Sequence, residues 1–349
     1  LVMSRDQKTL RGLNTDKVKA WLRENCDQLG PDCQFELIAA GGSNLSYKVT
    51  DSAGNQAVLR RPPSAKGVAT AHDMQREYRV MSCLQASDVP VPDMLAYCDD
   101  PEITGSEFYL MSFVDGIILR DKGSAKQLDD AACQRATDAL IDTQLAFHQL
   151  DLPAYGLADL GQNDAYVQRQ INRWSRQVAA KPVRDLPLLQ QLKEALEQSV
   201  PDQAYRPGLV HGDYRFDNTV LSASGDMLAV LDWELSTIGD PQADFCWSVL
   251  YWADPQDDWR FLPSAPTLDS RFPRRQSVID CYRERSGLAL DHWQWYEAFS
   301  FWKMACIIEG VYARLLGGAG GGMAGASAEK AGAMVGGFLT LAQRRLDAQ

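Results

Sequence analysis

The sequence predicts an α+β fold in two lobes, a small β-rich one over residues 1–115 and a large helical one over 116–349. Three observations lead there. Short strand-like runs, "FELIAA", "LSYKVTD" and "QAVLRR", crowd the first part, and the turn "DSAGN" at 51–55 joins the last two as a hairpin. Beyond residue 116 the texture changes to long helical periods. Between those helices, "HGDYRFDNTVLSASGDMLAVLDWE" at 211–234 threads Asp213, Asp217, Asn218 and Asp232 between apolar runs where a soluble domain normally has plain core.

In chain order, Val18, Trp21 and Leu22 fall at helical spacing over Thr15–Asn25, behind a capping Thr or Asp. After the strands, Met74, Tyr78, Met81 and Leu84 make one face of a helix within 71–85, with Glu77 beside that stripe. "EFYLMSFVDG" reads as a buried strand ending at Gly116. Helices are expected at 128–150, 164–180, 186–199, 241–253, 272–286 and 291–316. The last of these carries the aromatic run "WYEAFSFWKMACIIEGVYARLL", read as a buried helix rather than a ligand wall. Residues 317–326, "GGAGGGMAGA", have too little side chain to fix one conformation and are expected to form a mobile loop before a final helix.

Composition narrows the function. Of 349 residues, 45% are hydrophobic and 23% charged, a globular balance for about two domains of roughly 150 residues. Lys and Arg number 35 against 46 Asp and Glu, a net charge of -11, which argues against a nucleic-acid partner. With no apolar run of about 18 residues and no secretory h-region at the start, the expectation is a soluble, cytoplasmic protein with no membrane partner. The eight cysteines show no CxxC pair and read as reduced core thiols. Composition leaves the oligomeric state open.

The chemistry concentrates in the pattern H-x-D-x4-N-x13-D formed by His211, Asp213, Asn218 and Asp232. The runs "NTVL" and "MLAVL" are joined by "SASGD", and a hairpin there brings Asn218 and Asp232 to one end. Two oxygen donors suit Mg2+, which takes few protein ligands and fills its shell with water and phosphate oxygens. Asp213 then faces the group that receives phosphate. Nearer the N-terminus, "AAGGSNLSYKV" sets Gly41, Gly42, Ser43 and Asn44 between two strands, where backbone N–H groups can approach phosphates. Strand alternation puts Val58 and Arg60 on one face, Val58 toward adenine and Arg60 toward the phosphates. Plainer readings stand beside these: a β-turn at Gly41 and Gly42, a solvated Glu77, and ordinary core or surface roles for His72, His148 and His292.

These motifs resemble the aminoglycoside phosphotransferase and choline kinase group of small-molecule kinases, most of all the kinase-like region fused to acyl-CoA dehydrogenases, over 35–314. The resemblance implies a bilobal protein-kinase-like fold and ATP with Mg2+ as cofactors. "HGDYRFDN" is similar to the group's catalytic loop, "LDWE" stands where protein kinases carry DFG, and "GDPQADFCW" is similar to a segment whose Asp244 supports that loop. By the resemblance Asp213 is catalytic, His211 braces the loop, and Asn218 and Asp232 hold metal. Arg60 pairs with Glu77, and Met111, Ser112 and Val114 form the adenine hinge. The departures are the absence of G-x-G-x-x-G, of the VAIK lysine and of DFG, and an Arg60 fork in place of a lysine point charge.

The implied function is ATP-dependent phosphorylation of a small-molecule hydroxyl. A hydroxyacyl-CoA is the first acceptor considered, because Arg206 and the segment 269–277 with Arg271, Arg274 and Arg275 carry a local basic excess suited to CoA phosphates or to a solvated helix start. An aminoglycoside or amino-alcohol kinase, a non-catalytic nucleotide-binding module and a metallohydrolase using His211 and Asp213 are the other classes weighed.

Overall fold

The computed structural model describes residues 13–40, 44–63, 74–202, 206–257, 262–318 and 327–348. Gly41, Gly42, Ser43 and His72 lie outside the described residues, as does most of the glycine-rich segment at 317–326. The chain divides into two compact units: one runs through Asp115 and also takes in Ala229–Glu234, while the other comprises Gly116–Leu228 and the chain from Leu235 onward.

The first unit opens with α1 (Thr15–Asn25), which buries Val18 and Leu22. Its cap is Asn14, one residue ahead of the expected Thr or Asp: Asn14 is extended, so its side chain can turn back to accept the Lys17 N–H at 3.2 Å. Strands β1 (Gln34–Ala40), β2 (Leu45–Thr50), β3 (Gln56–Arg61), β4 (Met94–Cys98) and β5 (Phe108–Ser112) form one antiparallel sheet in the order β1-β2-β3-β5-β4. The β2–β3 turn is built on Asp51, which accepts the backbone N–H groups of Ala53 and Asn55 at 2.9 and 2.8 Å, with Gly54 at φ +89°. Helix α2 (Met74–Leu84) buries Met74, Glu77, Val80, Met81 and Leu84, so Glu77 stands inside the apolar stripe and is not solvated. A short α3 (Pro101–Thr104) precedes β5. Val18, Tyr47, Val49, Leu59, Phe108 and Leu110 lie at the centre of this core. The strand expected up to Gly116 stops at Ser112, and β4 had no clear alternating pattern to announce it.

The second unit is mainly helical, with α4 (Lys122–Ala125), α5 (Asp130–His148), α6 (Tyr166–Ala179) and α7 (Pro187–Gln198) ahead of the polar stretch. In that stretch β6 (Gly208–Val210) pairs antiparallel with β9 (Thr237–Gly239), and β7 (Thr219–Leu221) pairs with β8 (Met227–Val230). Helices α8 (Pro241–Leu250), α9 (Arg275–Ser286), α10 (Trp293–Leu316) and α11 (Ala328–Leu346) complete it. α10 is the hub, packed on α6, α7, α8 and α11 and buried along most of its length, as its aromatic run implied. All eight cysteines are free thiols, six of them buried. Among the described residues no helix is long and apolar enough to cross a membrane.

Candidate active site

In the first unit, β3 and α2 build a buried polar cluster. Register pairs Arg60 with Tyr109 and Val58 with Met111, which puts Val58 and Arg60 on one face of the sheet. Arg60 Nε lies 3.3 Å from Glu77 Oε2, and its Nη2 donates to Asp232. Asn44, on the strand side of the glycine pair, donates through Nδ2 to Glu234 Oε2 at 2.9 Å. Burial acts against the charge on Arg60, but Glu77, Asp232 and Glu234 outweigh it and hold the guanidinium protonated. Burial also drives the Glu77 carboxyl upward, with Arg60 opposing. One guanidinium therefore serves three carboxylates.

The Tyr109 hydroxyl also faces Glu77, while Asn44 Oδ1 is buried without a hydrogen-bond partner. Three carboxylates about one buried guanidinium hold it in a single place, as a buried pair with several partners does. Asp232 has φ +67°, a left-handed conformation that Asp tolerates better than most side chains and that aims its carboxylate at Arg60. Farther along β5, Ser112 N–H is spent on Asp93 O at 2.8 Å and Phe113 N–H on Gln56 O at 3.4 Å. Val114 N–H is the first donor past the strand with no partner among the described residues, which narrows the expected hinge of Met111, Ser112 and Val114 to one free amide.

In the second unit the loop after β6 is tied down from below. Asp244, in the first turn of α8, accepts from His211 N at 3.2 Å and Gly212 N at 2.8 Å, and its Oδ2 lies 3.0 Å from His148 Nε2. Burial alone would raise the Asp244 carboxyl, yet His148, the charge of His211 and these amides bring it below the ordinary carboxylate range. His148 is fixed in turn by the Tyr282 hydroxyl at 2.8 Å. Asp240 caps α8 through Gln242 N at 2.8 Å and receives the Tyr296 hydroxyl at 2.6 Å. Gly212 has φ +85°, and a Cβ there would meet Leu235 Cβ at 3.0 Å, so the loop turns only with glycine.

On this base the His211 ring Nδ1 accepts Asp213 N–H at 3.3 Å, a bracing contact that fixes the backbone of Asp213. Asn218, in a 3-10 turn at Phe216–Asn218, donates through Nδ2 to Asp213 O at 2.8 Å and Asp213 Oδ2 at 3.1 Å. The side-chain oxygen of Asn218 is the end not used in this pair. Along the chain, Asn218 directly precedes β7 and Asp232 follows β8 by two residues. Asn218 and Asp232, each within its own unit, offer oxygen donors of the hard kind that Mg2+ takes. Among the described residues no group of three or more His, Cys, Asp or Glu could hold a metal ion.

Beside Asp213, Arg215 sits 3.7 Å from Asp213 and 3.6 Å from Asp217 and stacks at 4.3 Å on Tyr251. Burial raises the Asp217 carboxyl while Arg215 opposes. A pocket of about 70 Å³ adjoins them, walled by Leu140, Phe216, Trp252, Leu262 and Pro266, with Arg120 and Arg215 as its cations. Apart from Phe216, inside "HGDYRFDN", these wall residues did not stand out in the sequence, because they come together from α5 and the segment after α8. The basic segment needs correcting. Arg271 is bound to Asp269 and to the Ala125 and Leu128 carbonyls, Arg275 to Asp257 and Arg274 to Asp254, so these guanidiniums are fastened within their own unit. Arg206 lines a separate cavity with His148 and Tyr282.

Comparison with known proteins agrees with this geometry. Residues 34–288 match the model of the phosphotransferase enzyme family. The chain is 36% identical over 290 residues to mouse acyl-CoA dehydrogenase family member 10, covering 80% of this chain and 26% of that protein. It is 32% identical over 310 residues to human acyl-CoA dehydrogenase family member 11, covering 87% of this chain and 40% of that protein, so it spans less than half of either relative. A solved structure from Ralstonia eutropha, provisionally described as an aminoglycoside phosphotransferase, superposes with a TM-score of 0.79 at 31% identity, covering 96% of this chain and 98% of the other. A thermostable mutant of the aminoglycoside phosphotransferase APH(4)-Ia, solved with AMP-PNP and hygromycin B, shares the fold at a TM-score of 0.63 and 15% identity, covering 94% and 98%. The chain therefore belongs to the phosphotransferase enzyme family and has the α+β, protein-kinase-like fold of the aminoglycoside phosphotransferases.

Proposed function

We propose that the chain is an ATP-dependent kinase that transfers the γ-phosphate to the hydroxyl of a small molecule. The observation that carries this reading is the clamped loop: Asp213 is fixed at its backbone by His211 and at its carboxylate by Asn218, on a base held by Asp244. Positioning of this kind is most of what phosphoryl transfer asks of a protein.

The residues take the following parts. Val58 and Met111 cover adenine, and Val114 N–H binds its edge. Arg60, steadied by Glu77, holds the phosphates, and Asn44, with Gly41, Gly42 and Ser43 ahead of it, lies along them. Asn218 and Asp232 hold Mg2+, which neutralises phosphate charge when bound. Asp213 aligns the acceptor hydroxyl. The acceptor oxygen bonds to the γ-phosphorus as the bridging P–O bond to ADP breaks, and the hydroxyl proton passes to the Asp213 carboxylate and on to water. A carboxylate with an ordinary pKa near 3.9 accepts that proton late, so its main service is alignment.

For the acceptor we propose a hydroxyacyl compound, CoA-linked or free. Support comes from relatives named for acyl-CoA dehydrogenases at 32–36% identity and from the mostly apolar pocket with two arginines beside Asp217. Hygromycin B belongs to a neighbour of 15% identity, which carries the fold alone. Coupled measurement of ADP release over hydroxyacyl-CoAs, amino alcohols and aminoglycosides tests the reading. Saturable turnover with a hydroxyacyl substrate is expected, whereas efficient turnover of an aminoglycoside alone would overturn the acceptor, and Mg-ATP binding without any turnover would favour a non-catalytic module.

A further inference from the structure

α10 carries one residue out of keeping with its apolar surroundings. Lys303 is only 7% exposed, and its ammonium lies 3.7 Å from the centroid of the Trp247 ring and 6.0 Å from that of Trp174. Other partly buried cations of this unit have acceptors: Arg184 has Glu309, Arg275 has Asp257, and Arg271 has Asp269 and two carbonyls. Lys303 Nζ makes no hydrogen bond or ion pair among the described residues. Burying an ammonium without one is costly, and aromatic faces offset that cost only in part.

The two flanking indoles repeat the anomaly. Trp233, Trp252, Trp295 and Trp302 each donate Nε1–H, to Val230 O, Pro273 O, Ser199 Oγ and Leu189 O respectively. Trp174 Nε1 and Trp247 Nε1 are buried and have no partner. Three donors with no acceptor thus share one neighbourhood, and what complements them is an oxygen acceptor, not a cation. The neighbourhood adjoins the catalytic loop: Trp247 stands on α8 one turn beyond Asp244, whose carboxylate holds the Gly212 amide of that loop, and the Lys303 ammonium feels the charges of Asp244 and Asp213.

We propose that Lys303, with Trp247 and Trp174, recognises the acyl oxygen of the acceptor, as a carboxylate or as a thioester carbonyl, and so selects hydroxyacyl compounds over plain alcohols. This rests on the kinase reading above and adds a specificity determinant to it. With Asp213 aligning the hydroxyl at one end of the acceptor, the Lys303 cluster engages the carbonyl end, and a diol of the same length forfeits that contact. A site built to bond an oxygen rejects the analogue lacking it, because its own donors are then left unpaired.

The test uses the full chain with 4-hydroxypentanoate, its CoA thioester and 1,4-pentanediol as probes, each followed by calorimetric binding and by phosphoester formation. The wild type is expected to bind the acid or the thioester at least tenfold more tightly than the diol, and whichever of the two wins identifies the natural source of the acyl oxygen. Lys303→Met and Trp247→Phe should bring that preference within twofold while the Mg-ATP dissociation constant stays within twofold, and Lys303→Arg should recover part of it. Equal binding of diol and acyl probes, no binding of any probe, or a preference surviving in a folded Lys303→Met protein would overturn the proposal. A Lys303-dependent preference with no phosphoester formed would instead overturn the kinase reading and leave acyl recognition standing.

Discussion

The two units hold their polar groups in opposite ways. In the second unit the loop from His211 to Asn218 is closed on itself: Asp244 accepts two backbone amides and pairs with His148, His211 accepts the Asp213 amide, and Asn218 donates to the Asp213 carboxylate. In the first unit Glu77, Asp232 and Glu234 surround a single Arg60, and the buried Asn44 Oδ1 lacks a hydrogen bond. The contrast separates two kinds of work. The Asp213 carboxylate is preorganised by the fold, which under the proposed function keeps reorganisation out of the chemical step. The cluster on β3 and α2 sets three carboxylates about one guanidinium, so under the proposed function its stability should respond to Mg-nucleotide far more than that of the loop.

The largest effect expected is at the closed loop. Asp213→Asn keeps the shape and the Asn218 contact but loses the proton acceptor, and turnover should fall by about 10²–10⁴-fold with Mg-ATP affinity within a few fold. Wild-type turnover in that variant would remove Asp213 from the chemistry. The open cluster should break next. Arg60→Ala leaves Glu77 buried without its counter-charge and should cost about 3–5 kcal/mol of stability. Adding Glu77→Ala should restore part of that loss, and strictly additive losses in urea melts would mean the pair is not coupled.

The sequence carried these residues unevenly, and the reason is distance along the chain. Val58 and Arg60 were legible because a strand alternates, Glu77 because it flanks a helical stripe, and "HGDYRFDN" because its members are local. Their supports were not. His148 reads as an isolated histidine, and only the fold brings it to Asp244, 96 residues on. Arg271 reads as part of a basic patch, but it spans 146 residues to bond the Ala125 carbonyl. Lys303 reads as one polar interruption in an aromatic helix, and nothing local distinguishes a snorkelling lysine from a buried one. The assignment of Ala229–Glu234 to the first unit likewise depends on tertiary contacts such as Val230 N–H to Pro90 O at 2.8 Å.

Stability against pH sharpens the contrast through Lys303. Burial draws its ammonium down from 10.5 to about 8, with Asp244 and Asp213 opposing. Between those values the unfolded chain binds a proton that the folded chain has released, so stability rises with pH across that window, and the penalty is complete below pH 8. Lys303→Met should therefore stabilise the fold at pH 7 by on the order of 1–3 kcal/mol, with the gain fading toward pH 10.5. A gain independent of pH would mean the buried charge is not its source.

Ligand linkage bears on the open cluster. Mg-ATP at a hundred times its dissociation constant should stabilise the wild type by about 2.7 kcal/mol. Asp232→Asn, chosen because Asn also tolerates the left-handed backbone at φ +67°, should lose most of that shift in thermal melts. An undiminished shift would place the metal elsewhere. The smallest effect is expected in the basic segment, where Arg274→Ala removes a half-exposed pair with Asp254. It should change stability by less than about 1 kcal/mol and leave the KM for an acyl-CoA substrate unaltered, while a several-fold rise would return that segment to the substrate.

The most direct measurement of the central claim is single-turnover ³¹P NMR with enzyme in excess over Mg-ATP and 4-hydroxypentanoyl-CoA. The account predicts ADP and a new phosphoester appearing in equal amounts, only when the hydroxyl acceptor is present and not with Asp213→Asn. Inorganic phosphate released without acceptor, or ATP left intact in the bound complex, would contradict it.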